Sequence, residues 1–142
     1  MDHVWSVLCL KASIDRETNN ISLFDVLEQV RVHPPLEREG AVGPLELISL
    51  WTRSAGYPER GQARVSLRGP SGHIQFQQIQ EIDLREYRRM RARLRVVVMP
   101  IEGPGTYVFS VEVPRPNSED WTEIAKIPLD VEVLTGERPR PR

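Results

Sequence analysis

Cysteine, histidine and clustered arginine are the residues of this chain best placed to do chemistry, and each reads first as structure. Cys9 is the single cysteine and sits within Val-Trp-Ser-Val-Leu-Cys-Leu. A thiol in an apolar run keeps a raised pKa and stays protonated, so it reads as a small buried hydrophobe and not as a nucleophile. One cysteine excludes an internal disulfide and is too few for a thiolate-held zinc or iron–sulfur site. His3, His33 and His73 fall at or near the ends of presumed strands and far apart. No Ser-His-Asp pattern or nucleophile elbow accompanies them. Asp15, Glu17, Asp83, Glu119 and Asp120 lie in polar turns that could gather at one end of a β-fold, as calcium ligands do. Arg16, Arg60, Arg85, Arg88 and Arg89 crowd the same turns and oppose a divalent cation, so solvated turns and surface ion pairs are expected there. Gly103-Pro104-Gly105 opens a strand instead of a helix and lacks the helix dipole a phosphate loop uses. No cofactor, metal or catalytic residue is expected. A site assembled across loops is the one route to an enzyme that spacing would not show.

The sharpest local signal is cationic. Arg85, Arg88, Arg89, Arg91, Arg93 and Arg95 fall within eleven residues, with Tyr87 among them. Stacking on Tyr87 plus phosphate contact would suit nucleic acid. Against this, Arg91, Arg93 and Arg95 alternate with Ala92, Leu94 and Val96, as on any half-wet strand, and Glu81, Asp83 and Glu86 neutralise part of the charge. A bland solvated face, or a face matched to an acidic protein partner, is the better reading. Tyr57, in Ser-Ala-Gly-Tyr-Pro-Glu-Arg-Gly, lies at a presumed hairpin tip, where it either anchors a partner or caps the edge of the core. Residues 33–44 form a loop longer than usual.

At 142 residues the chain is expected to be one domain with a core large enough to need no staples. Its formal charge of −1 gives no net pull toward nucleic acid or anionic membrane. The 17 Arg to 2 Lys read mainly as the mark of a GC-rich genome. The N-terminal stretch lacks the basic region of a signal peptide, and no segment approaches the ~20 apolar residues of a membrane span, so a cytoplasmic protein is expected.

These side chains must be positioned by strands, because period-two patterns dominate. Val4, Leu8, Leu10, Ala12 and Ile14 predict one apolar face of a first strand, with Trp5, Val7 and Cys9 on the other, which suits an internal strand. Asp15 to Asn20 reads as a turn, 21–33 as a second extended segment and Leu45 to Arg53 as a third strand. Gln62–Arg68 alternates cleanly, and Gly69-Pro70-Ser71-Gly72 is a tight turn. The next strand holds Ile74 and Phe76 and slips in period toward Ile79 and Ile82, which predicts a bulge near Gln77-Gln78. Residues 83–90 could form a helical turn; Ala92 to Val98 gives another inward row. In the last strand Ala125, Ile127, Leu129, Val131 and Val133 face in, and Pro128 predicts an edge or a bulge. The sum is an all-β chain: an antiparallel β-sandwich of about eight strands over residues 1–134, with a flexible Arg/Pro tail at 135–142.

Pro104-Gly105-Thr106-Tyr107-Val108-Phe109-Ser110-Val111 places a tyrosine just after a tight turn at the mouth of an alternating strand. This resembles the tyrosine corner of immunoglobulin-like sandwiches, with Gly105 making the turn and the Tyr107 hydroxyl reaching nearby backbone. Val-Leu-Cys-Leu-Lys-Ala, the turn at Asp15 to Asn20, Ile-Ser-Leu-Phe-Asp-Val-Leu, Gly-Pro-Gly-Thr-Tyr-Val-Phe and the closing Ile-Pro-Leu-Asp-Val together resemble a family of small uncharacterised bacterial proteins. The resemblance spans most of the chain and implies an immunoglobulin-like or related Greek-key sandwich. It carries no activity and transfers no functional residue. The expected role is a non-enzymatic interaction or structural module that binds a protein partner or itself through Tyr57, Arg85, Tyr87, Arg88 and Arg89. A weak nucleic-acid binder through Arg85–Arg95 is the alternative.

Overall fold

Alternating apolar and polar residues give strands wherever the chain must bury one side only. In the computed structural model, which describes residues 1–33, 42–54 and 56–134, every regular element is a strand. They are β1 (Asp2–Ile14), β2 (Ile21–Val26), β3 (Gln29–Val32), β4 (Leu45–Thr52), β5 (Arg60–Arg68), β6 (Ile74–Asp83), β7 (Arg89–Val96), β8 (Gly105–Pro114) and β9 (Trp121–Val133). A four-stranded sheet has the order β2-β1-β4-β7, and a five-stranded sheet the order β3-β9-β8-β5-β6. One core joins them: Leu8, Leu47, Trp51 and Leu94 from the first sheet meet Val65, Leu67, Tyr107, Phe109 and Leu129 from the second. Among the described residues no helix is long and apolar enough to cross a membrane.

The count is nine strands, one more than expected, because the segment 21–33 breaks in two. Asp25 takes a left-handed φ of 53°, and after Leu27 and Glu28 the chain crosses from the first sheet to the second. There β3 runs parallel to β9, so the pairing is not antiparallel throughout. Residues 83–90 contain bends and no helical turn. Strand β6 runs unbroken, and its register shift lies at Leu67/Arg68 opposite Phe76 and Ile74, not at Gln77-Gln78. Ile79 simply faces solvent.

Pro128 sits in a strand with neighbours on both sides, yet it breaks nothing. β3 reaches only Asp130 to Val133 of β9. The Asp130 N–H donates to the Glu28 carbonyl, so residues of the same parity point toward β3, and at Pro128 that side has no strand to pair with.

β1 departs most from expectation. Val4, Leu10 and Ile14 are exposed, and only Leu8 of the predicted inward row enters the main core. Ala12 instead joins Cys9 and Ile48 in a second small core, with Trp5, Ile21 and Leu23 packed against it. The distal half of β1 and all of β2 therefore curl over the outer face of the first sheet.

The corner at Tyr107 has a definite geometry. Its ring is fully buried, its hydroxyl accepts from the N–H groups of Glu102 (2.8 Å) and Gly103 (3.2 Å), and it donates to the Gly103 carbonyl at 2.8 Å. Gly105 has φ 139°, and a Cβ there would lie 2.8 Å from the Pro70 ring, so backbone conformation and space both demand glycine.

Residues 34–41, most of the long loop predicted at 33–44, and the tail 135–142 lie outside the described residues.

Candidate functional site

The curl of β1 and β2 makes a cleft. Opposite residues in register share a face, so Arg89, Arg91, Arg93 and Arg95 of β7 stand with Leu50, Ile48 and Glu46 of β4 on the outer side of the sheet. The β1–β2 turn leans over them. Between turn and strand lies an open cleft of about 540 Å³, lined by Ile14, Thr18, Asn19, Leu50, Tyr87, Arg89 and Arg91 among others. Its floor is apolar and its walls are cationic or amide.

Two arginines hold the turn in place. Arg91 donates from Nη1 to the Asn19 carbonyl and from Nη2 to Asn19 Oδ1, each at 2.9 Å. Asn19 offers both oxygens on one side because its backbone is left-handed, φ 57°. Arg93 Nη2 donates to Glu46 Oε1 at 2.8 Å, while Glu46 Oε2 accepts the buried Ala12 N–H at 2.9 Å. The turn itself is set by Asp15, whose Oδ1 accepts from Glu17 (2.9 Å) and Thr18 (2.8 Å). These two backbone donors hold its carboxyl below the usual range.

The remaining predicted site residues separate into spent and free. Arg85 is spent: Nε and Nη2 grip Asp83 at 2.9 and 2.6 Å, which brings the Asp83 pKa down to about 2. Tyr87 is 70% exposed, and beside it Arg88 and Arg89 are exposed with no carboxylate partner among the described residues. Tyr87, Arg88, Arg89 and Thr52 line a second hollow that adjoins the cleft through Tyr87 and Arg89. Tyr57 is 77% exposed and lies on a loop that crosses from β4 in one sheet to β5 in the other, not at a hairpin tip. It does not line the cleft. Its loop is tied to the Tyr87 loop by hydrogen bonds from Arg53 N–H to the Arg88 carbonyl (3.0 Å) and from Leu84 N–H to the Glu59 carbonyl (2.8 Å).

The other broad face differs in its electrostatics. On the second sheet Arg64 donates to Glu112 at 2.7 Å and stacks over Trp121 at 4.6 Å, while Glu112 also accepts from Ser66 at 3.0 Å. Ser110 donates to Glu123 at 2.7 Å. Arg64 is paired with a carboxylate there, whereas Arg88 and Arg89 beside the β7 face have no carboxylate partner among the described residues.

One side-chain chain escaped the sequence reading. His3 Nε2 lies 2.7 Å from Ser6 Oγ, which lies 2.6 Å from Ser49 Oγ. The register shift between His3 and Trp5 turns His3 onto the face of Ser6, and period-two counting cannot show such a shift. Burial pushes the His3 pKa down; the ring reaches the Ser6 hydroxyl, and Ser6 in turn meets Ser49. No carboxylate orients the ring in this arrangement; the chain satisfies polar groups at the core edge.

No family model matches this chain, and no curated protein or solved structure does.

Proposed function

We propose that this protein is an interaction module that holds an acidic segment of a protein partner in the cleft between the β1–β2 turn and β7. The observation that carries the reading is the pair Arg88 and Arg89, without a carboxylate partner among the described residues, next to exposed Tyr87, in a molecule whose Arg31, Arg60, Arg64, Arg85 and Arg93 are already paired with carboxylates. Arginine presents a planar fork of donors suited to carboxylates, and a neighbouring aromatic adds contact area. The apolar floor of Ile14 and Leu50 suits a segment that mixes acidic and aliphatic residues. Nucleic acid fits less well, because among the described residues Tyr87 is the single aromatic lining the cleft and a stacked strand uses several.

We also infer an immunoglobulin-like sandwich, membership of the small bacterial family that the motifs resemble, and a cytoplasmic setting. Support for the architecture comes from the Tyr107 hydroxyl bonded to backbone just upstream of β8, and from β3 lying parallel to the final strand.

Titration calorimetry with a Glu-rich peptide, and with a single-stranded oligonucleotide of equal charge, tests the function. Peptide binding that weakens about tenfold in each of Arg88→Glu and Arg89→Glu is expected. Tighter binding of the oligonucleotide would replace the acidic-segment reading with the nucleic-acid one. Indifference to both substitutions would remove the cleft from either.

A further inference from the structure

Two sheets have four outer edges, and three of them are guarded. β2 is short and its pairing is interrupted at Asp25, whose φ is 53°. β3 has only four residues. β7 presents a row of arginines that would repel a second copy, and Gln80 Nε2 caps its Arg93 carbonyl at 3.1 Å. β6 differs. Its run Ile74-Gln75-Phe76-Gln77-Gln78-Ile79 contains no charge, proline or glycine, in a chain that is 27% charged. Natural edges are normally blunted by such residues, by bulges or by shortness; the bulge at Gln75 guards only the start of β6 and leaves Phe76 to Ile79 regular.

The direction of the free backbone groups follows from the register. Leu84 N–H donates to the Glu59 carbonyl, and β5 and β6 keep that pairing through Gly61–Ile82, Ala63–Gln80, Val65–Gln78 and Leu67–Phe76. Bonded and non-bonded pairs alternate in an antiparallel ladder, so the even-numbered residues of β6 bond to β5. The N–H and C=O groups of Gln77 and Ile79 therefore point away from the sheet; Gln75 is the extra residue of the bulge opposite Leu67 and Arg68 and falls outside this alternation. Among the described residues no strand pairs with that edge. Ile74 and Ile79 on it are 43% and 53% exposed.

We propose that β6 pairs with β6 of a second copy of this chain, antiparallel about a two-fold axis at Gln78. That register places Gln77 of each copy opposite Ile79 of the other, so both outward-facing residues exchange both backbone hydrogen bonds. The side-chain pairs that result, Gln78 with Gln78, Gln77 with Ile79 and Phe76 with Gln80, are uncharged, so the symmetric pairing brings no like charges together. The pairing joins the two five-stranded sheets into one continuous sheet.

Sedimentation equilibrium combined with amide hydrogen exchange tests this. A monomer–dimer equilibrium is expected in which the Gln77 and Ile79 amides gain protection as concentration rises. The Phe76, Gln78 and Gln80 amides stay protected at every concentration. Ile79→Lys, which puts a charge on the exposed edge, is expected to give a folded monomer, and so is Gln77→Pro, which deletes an N–H that the chain's own sheet does not use. Arg88→Glu is expected to dimerise as the parent does. A monomer at every concentration would overturn the proposal. So would a dimer whose Gln77 and Ile79 amides exchange freely, or one that Ile79→Lys leaves intact.

Discussion

Glu46 and Arg93 form a clamp across two strands: the carboxylate takes Arg93 Nη2 at 2.8 Å and, through its other oxygen, the Ala12 N–H at 2.9 Å. This buried carboxylate holds the curled half of β1 down on the sheet and so shapes the cleft. Removing one partner of a buried, charge-assisted set leaves the other groups unsatisfied. Glu46→Ala is expected to lower stability by about 2–3 kcal/mol in chemical denaturation. It should also speed hydrogen exchange at the Ala12 amide well before global unfolding.

Cys9 reports on the same clamp. It is fully buried against Ala12 and Ile48, and burial raises its thiol pKa. In the native protein it is expected to resist a maleimide reagent at neutral pH. Labelling should accelerate in Glu46→Ala, because the hairpin that covers it opens. Equal labelling rates in the two proteins would separate the clamp from the small core.

The Tyr107 hydroxyl makes three hydrogen bonds with the backbone of Glu102 and Gly103. Tyr107→Phe keeps the ring and strands those groups, so a loss of about 1–2 kcal/mol is expected in the denaturation midpoint. Gly105→Ala should cost more than that single hydroxyl, since the new Cβ meets Pro70 and the backbone φ is unfavourable.

Acid sensitivity follows from two carboxylates. Asp83 has its pKa lowered from 3.8 to about 2, first by the side-chain hydrogen bond from Arg85. Glu112 is lowered from 4.5, first by Arg64. A carboxyl whose folded pKa is depressed stabilises the fold above its unfolded pKa, and that contribution is lost as pH falls through the folded value. Stability is therefore expected to decline below pH 4.5, with the Asp83 portion still being lost near pH 2. A carboxyl titration followed by NMR should place Asp83 near 2, and Arg85→Ala should return it toward 3.8.

Strand identity was legible wherever one face alone is buried. Ala63, Val65 and Leu67, the Ala92 and Leu94 row, and Tyr107, Phe109 and Val111 all lie in the core as their alternation predicts. The curl was not legible, because Ala12 and Cys9 differ by an odd number of positions and still share a cluster. Glu46, set between two leucines, reads as an ordinary wet-face residue. Its role depends on Ala12 and Arg93, which come together only in the fold. Among the arginines, type and spacing marked the cluster. Which of them were already paired with Asp83 or Glu46 depended on turns and sheet order that no local pattern carries.

The parallel zipping of Gln29–Val32 onto Asp130–Val133 joins two segments about as far apart in sequence as any two described strands. During synthesis the outer border of the five-stranded sheet cannot be finished until the final strand has left the ribosome. Until then β3 and one side of β8 stay unpaired. Non-local pairings of this kind are the slow ones, so β9 acts as the fastener that closes the five-stranded sheet.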